Sequence, residues 1–431
     1  MFDRKAPRIL LLLSLIGAVG CGTTARPGEE ARPLYSIVAV DLLAANQPAV
    51  SEERPSQVRQ IAVNFDVLAF GSGSGGPLLR TVELPLPDRP AITAQIRRGP
   101  WRPRSFVWSG TVENEIDSDV VLSQVAESLA GSIRIGTQLY SIGRDESGHV
   151  VRMIDDSEFP TEDAPSANLT PEEESPLDEP AVEVKDDGSV IDVLVCYTPA
   201  ARGNLTAADM QAFVETAVES TNRVYANSGV RPRLRLVGAA SEIFYDENGS
   251  IGSHSDWWDA VLDRLTATND GFMDQAHSWR DEYGADEVVL LVRRGDYCGI
   301  ANQMRTMSTA FKNRAFAVVS KGCAIDNFTF GHELGHNMGA CHDRGASQQC
   351  RGVDDYSHGH IVPTKYRTVM AYRCVPADRP CPKTGNFSNP GVIVDGSATG
   401  VGAGQSNSAD NARTLNNTAA TVAKFRASKS P

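Results

Sequence analysis

Histidine is scarce in this chain, with 8 in 431 residues, and cysteine is equally rare at 8. No two cysteines stand in a CxxC pair, which argues against a structural zinc ribbon. Long apolar runs are also missing. The strongest, Ile9 to Val19, is too short to cross a bilayer as a stable helix, and Arg4, Lys5 and Arg8 precede it, as in a secretory signal. Basic residues form no cluster that would suit nucleic acid. The formal charge is -13, but residues 172–187, EEESPLDEPAVEVKDD, hold eight acids against Lys185 alone. Over half of the excess negative charge therefore sits in one Pro-containing stretch without apolar periodicity, which reads as a solvated linker rather than a cation-binding face.

What is present begins where the rare histidines gather. HELGHNMGACHD, residues 332–343, contains three of them. On a helix, His332 and His336 project from one face about one turn apart, close enough to share a metal ion. A continuing helix would carry residue 342 about 15 Å along the axis, out of reach. Gly339 supplies the reversal, because glycine accepts the left-handed conformation that ends a helix, and the chain can then bring His342 back. Three neutral imidazoles suit one Zn2+ ion and leave a tetrahedral site one open position for water. Glu333, beside them, is placed to be a general base and to return the proton to a leaving amine.

The rest of the chain divides by texture. Residues 1–21 read as a signal peptide whose end, AVGC, resembles the bacterial lipobox, with Cys21 as a lipid anchor; ordinary signal-peptidase cleavage is the alternative. Residues 22–60 are polar and read as a tether. From 61 to 160, short β-rich runs such as FVWSGTV and GSIRIGTQLYSI predict a small β domain, followed by the acidic linker at 161–188. From 189 to 428, strand-like and helical segments alternate, which predicts an α/β domain with a mainly parallel twisted sheet and the histidine helix beneath it. Thr206 is the expected N-cap of a helix with Gly229 just past its end, and Ala412, Leu415, Ala419, Val422 and Phe425 mark a last helix on the core. Seven cysteines follow Cys21. Cys196 lies in the apolar strand IDVLVCY and reads as a buried free thiol, and local proximity suggests Cys298 with Cys323 and Cys374 with Cys381.

HExxHxxGxxH is the signature of the metzincin metalloendopeptidases, and the chain resembles them further. RTVMAY puts Met370 28 residues past His342, in keeping with the methionine turn that forms an apolar floor under the metal. His342 is followed by Asp343, as in the reprolysin branch. IDVLVCYTPAA, YGADEVVLLV, FSNP and NARTLNNTAATVAKFR together are similar to the bacterial peptidyl-Asp metalloendopeptidases over roughly residues 189–427. That resemblance implies an exported enzyme, anchored to the cell envelope or secreted, made with the β domain as a propeptide. It implies a protein or peptide substrate cut on the amino side of aspartate, and a cation to receive that aspartate, for which Arg344, Arg367 and Arg373 stand near the site in sequence. Tyr372, two residues after Met370, is the expected donor to the transition state. Because residues 22–190 contain no cysteine, a cysteine switch is excluded. Latency would then come from a carboxylate or from the β domain covering the cleft, with self-processing expected near VKDDGS. The chain is expected to act as a monomer. The competing class is a surface-anchored metal-containing binding protein or adhesin, or an amidase acting on a non-protein amide. An intact Glu333 argues against a purely structural metal.

Overall fold

A computed structural model describes residues 31–38, 58–68, 79–99, 105–160, 187–249, 254–346, 350–374 and 381–429. The signal segment, Cys21 and nearly all of the acidic linker lie outside the described residues.

The N-terminal part is a ten-stranded sheet: β1 to β10 are Arg32–Pro33, Tyr35–Ile37, Val58–Val63, Leu79–Leu84, Ile92–Arg98, Ser105–Val112, Ser118–Val125, Ser128–Ile135, Gln138–Asp145 and Gly148–Ile154. Their order is β1-β4-β5-β6-β7-β8-β9-β10-β3-β2, and every pairing is antiparallel except β1 with β4. Tight turns join β7 to β10, with Ala126 and Gly136 at positive φ, as short hairpin loops require. The expected tether at 22–60 is corrected within its described part. Leu34 and Tyr35 are 0% and 1% exposed in the sheet's core, and the Leu34 amide donates to Glu83 O. Two apolar residues between polar neighbours are enough to hold an edge strand once a partner edge exists.

The second part is built on β11 (Val190–Tyr197), β12 (Arg233–Leu236), β13 (Ser241–Glu242), β14 (Glu287–Val292), β15 (Gly299–Ala301) and β16 (Phe316–Ser320). The order is β12-β11-β14-β16-β15 with β13 also beside β11; all pairings are parallel except the edge strand β15, which runs antiparallel to β16. β14 and β16 are buried throughout, which is why their sequences are continuous rather than alternating apolar runs. Helices α1 (Pro199–Arg202), α2 (Ala207–Asn227), α3 (His254–Thr266), α4 (Gln275–Tyr283), α5 (Lys321–Ala324), α6 (Thr329–Asn337) and α7 (Asn411–Val422) complete it. Thr206 caps α2 in a reciprocal box with Asp209, and Gly229 follows its end at φ 71°. The α7 stripe is core: Leu415 and Val422 are fully buried.

The two parts share an interface. α2 lies across β7 and β8, and Leu139 and Ile154 join the apolar cluster of the second part. Asp119 of β7 accepts from Arg134 Nη2 at 2.6 Å, from Arg223 Nη2 at 2.6 Å and from Asn227 Nδ2 at 2.7 Å. It thereby neutralises Arg134, which is only 4% exposed, and ties α2 to the sheet. Disulfides join Cys298 to Cys323 and Cys374 to Cys381, as proximity suggested, and Cys341 to Cys350; Cys196 is free and buried, its thiol pushed up to about 12 by desolvation.

Candidate active site

α6 carries His332, Glu333 and His336, all at most 1% exposed. Its end is set by Gly339 at φ 88°. The Gly339 amide donates to His336 O at 2.9 Å and the Ala340 amide to Gly335 O at 2.8 Å, the paired bonds of a Schellman reversal. The reversal returns His342 to the other two histidines. The Nε2 atoms of His332, His336 and His342 form a triangle with edges of 3.1, 3.2 and 3.0 Å.

Each ring is turned so that Nε2 faces inward. His332 Nδ1 is 2.9 Å from Val369 O and His336 Nδ1 is 3.0 Å from Ala340 O. A carbonyl can only accept, so these Nδ1 atoms carry the proton and Nε2 keeps its lone pair. Burial holds the His342 imidazole well below the usual histidine range, with His336 and His332 adding to the effect. Three buried neutral imidazoles converging on one point suit a divalent ion: zinc–nitrogen bonds of about 2.0–2.1 Å at tetrahedral angles separate their nitrogens by about 3.3 Å. The donor set fits the ion that the sequence implies.

The surrounding residues hold this geometry. Met370, fully buried, lies against α6 where Gly335 has no side chain; a Cβ there would stand 2.9 Å from Met370 Sδ. The Tyr372 ring packs on His342 with centroids 4.1 Å apart. Sequence reasoning noticed Asp343 but gave it no task. Its Oδ1 accepts from the Tyr372 amide at 2.9 Å and its Oδ2 from the Gly345 amide at 3.0 Å, so it ties the last histidine to the turn after Met370. Gly299 of β15 was missed altogether. A Cβ on it would meet Glu333 Oε1 at 2.6 Å, so the edge strand closes over the carboxylate only because this residue is glycine. His358 and His360 stay outside the triangle; His358 Nδ1 bonds His342 O at 2.8 Å.

This is the geometry of a metal-dependent hydrolase site, with a buried carboxylate next to a three-histidine pocket. A family model described as reprolysin-like metallo-peptidase of family M12B matches residues 188–393. The peptidyl-Asp metalloendopeptidase of Xanthomonas campestris is 29% identical over 444 residues, covering 98% of this chain and 100% of that protein. That of Stenotrophomonas maltophilia is 30% identical over 433 residues, covering 95% and 98%. A relative of the same description from Pseudomonas aeruginosa is 31% identical but covers 56% of this chain and 41% of its own length. The chain belongs to the reprolysin-like metallopeptidases together with these bacterial peptidyl-Asp metalloendopeptidases, and it is a metalloendopeptidase of the zinc-dependent class.

Proposed function

We propose that the chain is an exported zinc endopeptidase, made as a proenzyme, that cleaves proteins on the amino side of aspartate. The observation that carries this reading is the inward-facing Nε2 triangle with Glu333 buried beside it. A zinc ion held by His332, His336 and His342 supplies Lewis acidity at the scissile carbonyl and brings the pKa of water in the cleft to about 7. Glu333 accepts the proton of the attacking water and delivers it to the departing amine. Tyr372, braced on His342, donates its phenolic hydrogen toward the oxygen where negative charge develops. Met370 serves as the apolar floor that keeps α6 from tilting.

The preference for aspartate is supported by the activity for which the bacterial relatives are named. Three disulfides support an oxidising, exported setting. In this reading residues 61–160, with the strands that precede them, are the propeptide and 161–188 the linker cut on maturation. Residues 189–428 are the metzincin catalytic domain, working as a monomer, and Cys21 is the lipid anchor.

Mass-spectrometric mapping of cuts in an unfolded protein mixture by the zinc-loaded chain tests this, with Glu333→Gln and a chelator as controls. Chelator-sensitive cuts before aspartate, lost in the variant, are expected. No cuts from a folded, zinc-occupied chain would leave a metal-containing binding protein instead.

A further inference from the structure

An enzyme that selects aspartate needs a cation beside its metal site, and the three arginines close in sequence differ sharply in their surroundings. Arg344 is exposed and bonds Ser408 O at 3.0 Å and Asp355 O. Arg373 is half-buried and donates to the main-chain oxygens of Asp156 and Ser157. Arg367 alone of the three grips a carboxylate. It is 1% exposed, and its Nη1 and Nη2 lie 2.8 and 2.9 Å from Asp156 Oδ2 and Oδ1.

Arg367 is also fixed in place. It lies in β18 (Tyr366–Arg367), which pairs with β17 (Ile361–Val362), and its amide donates to Pro382 O while its carbonyl accepts from Thr384. Its Nη1 donates again to Cys381 O at 2.6 Å. Two residues on, Val369 O holds the His332 ring. Lys383, 2% exposed, is bridged to Arg367 through the main chain.

Asp156 belongs to the segment that leaves the N-terminal sheet after β10. Four residues later, Pro160 O is 3.8 Å from Cys298 Sγ, next to Gly299, the glycine that faces Glu333. Residues 156–160 therefore run from the Arg367 guanidinium to the Cys298–Cys323 disulfide, which adjoins Gly299 in sequence.

We infer that Arg367 is the residue that recognises the substrate's aspartate, and that Asp156 occupies this place in the unprocessed chain. The inference rests on the aspartate-directed reading above. A guanidinium presenting two parallel N–H groups favours a carboxylate over an amide, because both bonds are charge-assisted and an amide offers one acceptor. A buried arginine stripped of Asp156 is an uncompensated charge, and a substrate carboxylate restores the pair.

The test uses full-length, zinc-loaded protein and two internally quenched peptides that differ only by Asp or Asn after the scissile bond, with initial rates taken before self-processing. Wild type should cleave the Asp peptide at least about tenfold better in kcat/KM. Arg367→Gln should bring the two peptides within about threefold while cleavage of the Asn peptide continues, whereas Arg373→Gln should keep the discrimination. Asp156→Asn, at a partly exposed position that leaves the core intact, should raise cleavage of the Asp peptide about tenfold or more, chiefly through KM. Discrimination retained in Arg367→Gln, or an unchanged rate in Asp156→Asn, overturns the inference even if the other variant fails to fold. A wild type that cuts both peptides alike overturns the aspartate-directed reading itself, and this inference with it.

Discussion

Substituting alanine for Gly299 should disable the enzyme without touching a metal ligand. The new Cβ would lie 2.6 Å from Glu333 Oε1, 2.9 Å from Glu333 Cγ and 2.9 Å from Thr329 Cγ2. Comfortable contacts between such atoms are about 3.5–4.0 Å, so the overlap is roughly 0.6–1.4 Å, against two side chains at once. β15 cannot easily withdraw, since Gly299 pairs with Val319 and the adjacent Cys298 is bonded to Cys323. Glu333 must therefore move, and it is 1% exposed with little room. A general base is worth about 10²–10⁴ in rate, and a displacement near 1 Å costs about 10². We expect kcat to fall about 100-fold and stability by about 1–3 kcal/mol from overpacking. Hydrolysis of a quenched peptide, read beside zinc content and a thermal melt, checks this. A variant with wild-type zinc content and kcat within about threefold of wild type would refute the placement of Glu333 beneath β15.

Two further outcomes follow from the same packing. Gly339→Ala puts a side chain at φ 88° and within 2.6 Å of Val353 Cγ1; the left-handed conformation alone costs about 1–2 kcal/mol. Equilibrium dialysis should show weaker zinc retention as His342 loses its position, along with a lower melting temperature. Asp326 concerns the interface between the two parts: burial pushes its carboxyl up to about 6, against hydrogen bonding from Ser141 and the charge of Arg152, and its Oδ1 has no partner among the described residues. A raised acid binds its proton more tightly when docked, so the interface is favoured at low pH and weakens as pH rises through about 6, by at most about 3 kcal/mol at neutral pH. Protection factors for hydrogen exchange in β9 and α5, with the intrinsic pH dependence of exchange divided out, should fall between about pH 4 and about pH 7 in wild type and stay level in Asp326→Asn.

The histidine triangle was legible because ligand chemistry writes itself into spacing. Two histidines four apart on a helix, and a third that only a glycine reversal can return, leave little choice of geometry. Thr206 and Gly229 were legible for a similar reason, since caps act within a few residues. The buried strands β11 and β14 could be read from their nearly continuous apolar runs. The tether was misread because composition averages over a window: the stretch around Leu34 pairs with a strand some fifty residues further along the chain, at Leu79–Leu84, and Tyr35 pairs with Val63. Gly299 was invisible for the same reason, as its meaning depends on which side chain comes beneath it.

The arginines show the limit most clearly. Sequence offered Arg344, Arg367 and Arg373 on equal terms, because a positive charge near a motif says nothing about what it faces. The structure separates them through a partner 211 positions away, Asp156. It also joins two questions that the sequence kept apart, what selects aspartate and what restrains the enzyme before processing. With no cysteine between residues 22 and 190 to reach the metal, any restraint would have to use another chemistry. A carboxylate on a buried arginine meets that need, and it does so with the same kind of side chain that the mature site is proposed to select. An inhibitory segment built this way need not ligate zinc at all. Its hold would weaken when the chain is cut within the acidic linker, because the segment after β10 would then be free to leave Arg367, and substrate carboxylates would compete for a charge that cannot remain buried alone.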